Sequence, residues 1–169
     1  MHETPEDLAR LQTLLDTSYS MAGEHLRRIH TDDRRLTAAA IAELLTGMCL
    51  LTLATTTADG RPITGPVDGI FYRGTFHFGS APDSVRLRHI FRGSAVSATH
   101  LPGEHLAVTV HGTAELVDVA DPLHAGFRQA LLDIYVPRYG AEWEQFLASG
   151  AQYARIDADR MYTFWMPEG

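Results

Sequence analysis

Only one cysteine, Cys49, occurs in the 169 residues. That excludes an internal disulfide and any metal site built from several thiolates. Its neighbours Met48, Leu50 and Leu51 suit a core thiol better than a nucleophile. There is no Gly-x-Ser-x-Gly elbow, so a hydrolase of that type has no support. No apolar run approaches the roughly 18 residues that a membrane helix needs. The start, Met-His-Glu-Thr-Pro-Glu-Asp, is acidic and lacks the apolar stretch of a signal peptide. A soluble, cytoplasmic protein that does not enter a membrane is therefore expected. Positive charge is also scarce: the net charge is −7, which argues against nucleic acid and anionic lipid as partners. Repeats, low-complexity segments and an obvious acid/base dyad are all missing.

What is present suits one structural unit with a sizeable core, since 45% of the residues are hydrophobic. Residues 1–47 read as a helical extension and 48–169 as the main domain. Thr4-Pro5 opens a first helix with Leu8, Leu11 and Leu15 in one stripe. A second helix is expected over 18–29 with Met21, Leu26 and Ile29 inward. Thr37 caps a third, which carries Ile41, Leu44 and Leu45 and ends at Gly47. Beyond Gly47 the apolar period shifts from about 3.6 to 2. Strands are expected at 49–57, 62–72, 75–78, 94–100, 106–119 and 153–166. The Asp59-Gly60 turn joins the first two, and Pro102-Gly103 is expected to turn the chain before 106. Pro62 and Pro66 cannot donate to a ladder, and Asp68-Gly69 suggests a bulge. The strand at 62–72 therefore leaves backbone groups that need another partner, such as water, a loop or a ligand. Gly112 marks a bend or a close backbone approach. Between the last two strands, Asp121-Pro122 opens a helix with Leu123, Phe127, Ala130, Leu131 and Ile134 on one face, ended by Pro137. A short helix with Trp143, Phe146 and Leu147 follows. This order fits a mainly β fold with flanking helices (α+β), a six-stranded antiparallel barrel or strongly curled sheet. The final strand is apolar on both faces, which points to burial at a subunit interface or beside a ligand.

The local exception to the acidic character is residues 78–93. A strand ends at Phe78, a polar loop follows, and Asp83 or Ser84 caps a helix beginning near Val85. Leu87, Ile90 and Phe91 form its apolar stripe, with Arg86, Arg88, His89 and Arg92 on the other faces. Cations at a helix start are mildly unfavourable unless an anion binds there. Ser80, Ser84 and Arg86 would then converge on one phosphate.

Taken together, the pieces resemble the pyridoxamine 5′-phosphate oxidase-like split-barrel flavoproteins, also known as flavin/deazaflavin oxidoreductases. The resemblance runs from Leu50 to Trp165. It is carried by Leu53-Ala54-Thr55 leading to Asp59-Gly60-Arg61-Pro62, by Thr64-Gly65-Pro66-Val67, and by Ser80 with Ser84-Val85-Arg86. Ala95-Val96-Ser97, Val110-His111-Gly112-Thr113-Ala114, Tyr153-Ala154-Arg155-Ile156 and Phe164-Trp165 complete it. It implies an FMN-binding split β-barrel and a homodimer with the flavin at the subunit interface. Ser80, Ser84 and Arg86 would hold the phosphate, and Thr64, Gly65, Pro66 and Val67 would follow the isoalloxazine edge. Trp165 would come from the partner subunit. The family usually has lysine where Arg86 stands, and pyridoxamine phosphate oxidase itself has arginine where Val85 stands. The chain has no Arg-x-His segment near Trp165, so vitamin B6 oxidation is not expected. The function implied is a flavin-dependent oxidoreductase acting on a small molecule, with no catalytic residue assigned and no metal.

Two alternatives differ in cofactor or class. The deazaflavin F420 has a longer, acidic tail and would need an open basic groove, for which Arg88 and Arg92 are candidates. A non-catalytic flavin- or haem-binding module would need an axial ligand if it held haem. His77, His100, His105, His111 and His124 are the candidates there, among nine histidines in all.

Overall fold

A computed structural model describes residues 2–166; Met1 and the last three residues of the proposed main domain lie outside the described residues. The six strands close into one antiparallel barrel: β1 (Met48–Thr56), β2 (Pro62–Tyr72), β3 (Thr75–Ser80), β4 (Val96–Gly103), β5 (Leu106–Val117) and β6 (Gln152–Trp165), in the order β1-β2-β3-β6-β5-β4. Six helices flank it: α1 (Pro5–Ser20), α2 (Glu24–Ile29), α3 (Ala38–Leu44), α4 (Val85–Phe91), α5 (Ala125–Tyr139) and α6 (Glu142–Ala148). The mainly β, split-barrel expectation holds.

Alternation along the strands divides the side chains into two layers. Leu51, Leu53, Val67, Phe76, Phe78, Val108, Val110, Ile156 and Met161 point into the barrel, together with Leu11, Leu15 and Ile41 from α1 and α3. Ile70, Tyr72 and Tyr153 point the other way, against Phe127, Leu131, Tyr135 and Leu147 of α5 and α6. The barrel is split because β3 is short. It pairs with β2 only over Gly69–Tyr72 and with β6 only from Gln152 to Arg155. Beyond β3, each of its neighbours has one free edge.

The free edge of β6 is closed by side chains of α1. Ser18 Oγ accepts from the Met161 N–H (2.9 Å), and the Tyr19 hydroxyl accepts from the Thr163 N–H (2.8 Å) and donates to the Thr163 carbonyl (2.8 Å). These hydroxyls replace the missing strand, as buried backbone groups require. The free edge of β2, residues 62–68, is not covered in this way and opens onto the 80–86 segment.

Several expectations need correction. The helix expected over 18–29 is divided: α1 runs on to Ser20 and α2 starts only at Glu24, because Ser18 and Tyr19 are committed to β6. Met21 is 61% exposed and Ile29 also faces solvent. The β1–β2 ladder is in register from Met48↔Ile70 to Thr56↔Pro62, so there is no bulge at Asp68-Gly69; the prolines sit on a strand that has one free edge. β4 starts at Val96 and runs through Pro102 to Gly103 with a register shift after His100, placing the turn at 104–105. α5 continues through Pro137 to end at Gly140, whose φ is +88°, and Leu123 is exposed. On α4, Phe91 is exposed while His89 is buried, its Nδ1 within 2.8 Å of the Thr55 hydroxyl. A polar partner inside the barrel mouth thus outweighs the helical stripe.

His77 is a buried packing residue on the outer side of β3, with its ring 4.4 Å from that of Phe127. Burial pulls its pKa down from 6.5 to about 4. Above pH 6.5 the imidazole is neutral in both folded and unfolded chains. Between 6.5 and about 4 the unfolded chain takes up a proton that the folded one refuses, so stability falls as the pH falls. At about 1.4 kcal/mol per pH unit, roughly 3 kcal/mol is lost across that window. Urea denaturation between pH 7 and 4 measures it; a His77→Gln variant with the same pH slope would show that other groups carry the effect.

Candidate functional site

The free edge of β2 and the start of α4 face each other across a cleft. α4 begins at Ser84 because its side chain accepts from the Leu87 N–H (3.2 Å), and Leu87 and Ile90 anchor the helix in the barrel mouth. The Ser80 and Ser84 hydroxyls are 2.8 Å apart. Arg86 extends from the first turn toward β2 and donates to the Pro66 carbonyl (3.2 Å). Gly65 lies beneath it: a Cβ there would meet the Arg86 guanidinium at 3.3 Å. Arg86 is half-buried, and burial pushes its pKa below the ordinary arginine value. Among the described residues no carboxylate pairs with it. A partly desolvated cation of this kind is stabilised by an incoming anion.

Seven of the eight site residues expected from the sequence thus come together. Thr64, Gly65, Ser80, Ser84 and Arg86 border a cavity of about 240 Å³ at the barrel mouth. Pro66, Val67, Ser80 and Arg86 also border an adjoining cleft of about 950 Å³. Trp165 is not with them. It stands at the far end of β6, paired with Leu106, about 40 Å along the strand from Gln152 at a rise of roughly 3.3 Å per residue.

Arg88 and Arg92 are already engaged. They donate to the Asp83 carbonyl (2.7 Å) and the Thr56 carbonyl (2.9 Å) respectively. Among the haem-ligand candidates, His77 is packed under α5, the Nδ1 of His100 is 2.9 Å from the Leu50 carbonyl, and that of His111 is 2.8 Å from the Ser97 hydroxyl. No group of metal-ligating side chains is present among the described residues. Cys49 is buried, and burial pushes its thiol up to about 11, as a core thiol requires.

The far wall of the larger cleft went unrecognised in the sequence. Asp68 projects from β2, Tyr153 from β6, and Tyr135, Tyr139, Trp143 and Phe146 from α5 and α6. The signal was available: positions 135, 139 and 143 are aromatic at four-residue spacing, the spacing of one helix face. The rings of Tyr135 and Trp143 stack 4.6 Å apart at 6°, and the Tyr139 ring lies 6.0 Å from that of Tyr135 at 14°.

No protein-family model matches the sequence, and no curated protein does. Solved structures do match in fold. A conserved hypothetical protein of Mycobacterium tuberculosis is 19% identical with a TM-score of 0.66, over 82% of this chain and 94% of that one. The FAD and haem binding protein of Mycobacterium smegmatis is 19% identical with a TM-score of 0.56, over 76% and 70%. A candidate pyridoxamine 5′-phosphate oxidase of Lactobacillus delbrueckii is 22% identical with a TM-score of 0.50, over 77% and 93%. The chain has the split-barrel fold of these proteins.

Proposed function

We propose that this chain binds a flavin, FMN in the first place, and uses it as an oxidoreductase on a small molecule. One observation carries the reading: the half-buried Arg86, with no carboxylate partner among the described residues, converges with Ser80 and Ser84 on the free edge of β2. The residues fit the group. Arg86 and the two hydroxyls supply charge-assisted donors for a phosphate, and Gly65 keeps the space beside the guanidinium clear. Of the 64–67 segment, which pairs with β1 on its other side, Thr64 turns its main-chain groups to the free edge, where a planar ring's heteroatom edge would meet them; Pro66 has no N–H and its carbonyl is held by Arg86. Fold neighbours that carry FAD by name support a flavin in general.

When bound, the flavin supplies the hydride and electron chemistry. The protein's share is placement. Arg86, Ser80 and Ser84 anchor the phosphate end, the β2 edge sets the ring's orientation, and α5 with α6 forms the opposite wall of the cleft. No side chain is assigned a proton-transfer role. FMN is taken ahead of F420 because Arg86 borders both cavities, while Arg88 and Arg92, turned to the Asp83 and Thr56 carbonyls, border neither. A non-catalytic flavin-binding module would use the same anchor.

The site is proposed to be completed by a second copy. The outer face of β1, β4 and β5 presents Leu50, Thr52, Ala54, Ser97, Thr99, Leu101, Ala107 and Thr109 with no charge among them, and Leu50 and Leu101 are 56% and 62% exposed. An uncharged face with two exposed leucines fits an interface with a second copy. Trp165 reaches a flavin only from such a partner. Purified chain should take up FMN with a shift of the flavin absorption bands, bind it more tightly than F420, and sediment at about twice the 18.7 kDa chain mass. A chain that takes up neither FMN nor FAD overturns the flavin reading; tighter F420 binding overturns the choice of FMN.

A further inference from the structure

We infer that the cavity between α1, the β2–β3 turn and the start of α5 is a binding site for a monocarboxylate with an apolar body, such as a medium-chain fatty acid. It shares no lining residue with the two cavities around Ser80 and Arg86, and it does not rest on the flavin reading.

The first support is charge. The cavity has a volume of about 670 Å³ and is bordered by Arg10, Arg73 and Arg155, from three separate elements, in a chain whose net charge is −7. Two of these cations are engaged. Arg10 donates to Asp7 (2.7 Å), and Arg155 donates to Asp157 (2.9 Å) and Glu115 (3.0 Å). Asp7 and Asp157 are the carboxylates that border the cavity, so each is already paired. The Arg73 guanidinium has no carboxylate and no other hydrogen-bond acceptor among the described residues; it stands 5.7 Å from the centre of the Tyr72 ring. Its backbone holds φ at +50°, and it is the one non-glycine residue with positive φ among the described residues. An exposed arginine is ordinary on an open surface. This one stands at a cavity with an apolar floor, and its planar fork matches a carboxylate.

The second support is that floor. Tyr72, His77 and Phe127 are buried there, and their rings pack on one another at 4.4 to 5.7 Å. His77 adds no charge at neutral pH, because burial pulls its pKa down to about 4. Leu11 and Leu14 of α1 add to the walls. Leu123 borders the same space and is 87% exposed, more than any other large apolar side chain among the described residues. A hydrocarbon chain lying in the cavity would take that leucine out of water, which is favourable. The volume is that of an ordinary small-molecule site, and one uncompensated cation suits one negative charge.

Octanoate is the probe, with octanol as the same chain without charge, and acetate and inorganic phosphate as charge without the chain. Calorimetric titration of the full chain should place octanoate at least about tenfold ahead of the other three. Arg73→Gly should weaken octanoate about tenfold, the lower end for a hydrogen bond to a charged group, and leave octanol unchanged. Glycine adopts this φ freely, so the variant should melt close to the parent, and lost binding is then not lost folding. Arg73→Lys keeps the charge without the fork and should fall between. Leu123→Ala should weaken octanoate and octanol alike, about two- to tenfold. Arg28→Ala, which removes a cation from α2, is the control and should change neither. Octanol or phosphate binding as tightly as octanoate, or octanoate binding that survives Arg73→Gly intact, would overturn the site. Displacement of octanoate by FMN would put the carboxylate at Arg86 and overturn it equally. If octanoate binds as expected and no flavin does, the flavin reading fails and this site stands.

Discussion

Arg86→Ala is expected to raise the dissociation constant for FMN about tenfold to 150-fold and to leave that for riboflavin nearly unchanged. A hydrogen bond to a charged group is worth roughly 1.5–3 kcal/mol, which converts to that range. Riboflavin has no phosphate, so the guanidinium has nothing to pair with. The apo protein should lose little stability, because the one bond Arg86 makes is a half-exposed contact with the Pro66 carbonyl, and its partial burial without a carboxylate partner costs free energy. Arg86→Lys keeps the charge but not the planar fork, and should recover part of the affinity. Arg92→Ala serves as the control, since its guanidinium is spent on the Thr56 carbonyl. Equal losses for FMN and riboflavin would mean that Arg86 acts by holding the β2 edge in place, and the phosphate role would be abandoned.

The largest effect on stability is expected at Gly112. There β5 passes β6 opposite a register shift, with His111 paired to Arg160 and Gly112 to Ala158. A Cβ at this position would lie 2.0 Å from the Asp157 carbonyl oxygen and 2.9 Å from the Ala158 Cα. Both are backbone atoms, so no rotamer change relieves the clash and the two strands must separate. Gly112→Ala should cost about 3 kcal/mol, the upper end for an overpacked site. That is roughly 6–12 °C in Tm for a chain of this size. Gly23→Ala, where a Cβ would meet nothing within 4 Å, should change stability by less than about 0.5 kcal/mol. Matching melting curves for Gly112→Ala and the parent would show that the β5–β6 pair has slack, and that barrel closure does not depend on this glycine.

Local chemistry was enough for much of this. The Thr4 cap with Pro5, the change of apolar period after Gly47, the Asp59-Gly60 turn and the Ser84 cap each act within a few residues. Sequence alone therefore determined the element order, the barrel class and the close approach at Gly112. It also grouped Ser80, Ser84 and Arg86, which lie within seven residues of one another. What it misread are contacts across long sequence separations. His89 turns inward because Thr55 meets it, and α1 runs on to Ser20 because Ser18 and Tyr19 serve the edge of a strand more than 140 residues later. Asp68-Gly69 makes no bulge, because β2 stays in register with β1 throughout, and Pro62 and Pro66 sit on an edge that the short β3 leaves free. The Tyr135–Trp143 stack needed the fold as well, since two helices must pack on the outer face of β2 before those rings meet Asp68 and Tyr153. Propensity and periodicity act over one or two turns of chain, and so the sequence determined the elements and the grouping of Ser80, Ser84 and Arg86. Which edges stay open, and what faces them, is decided by side chains brought together through barrel closure, and only the tertiary structure supplies that.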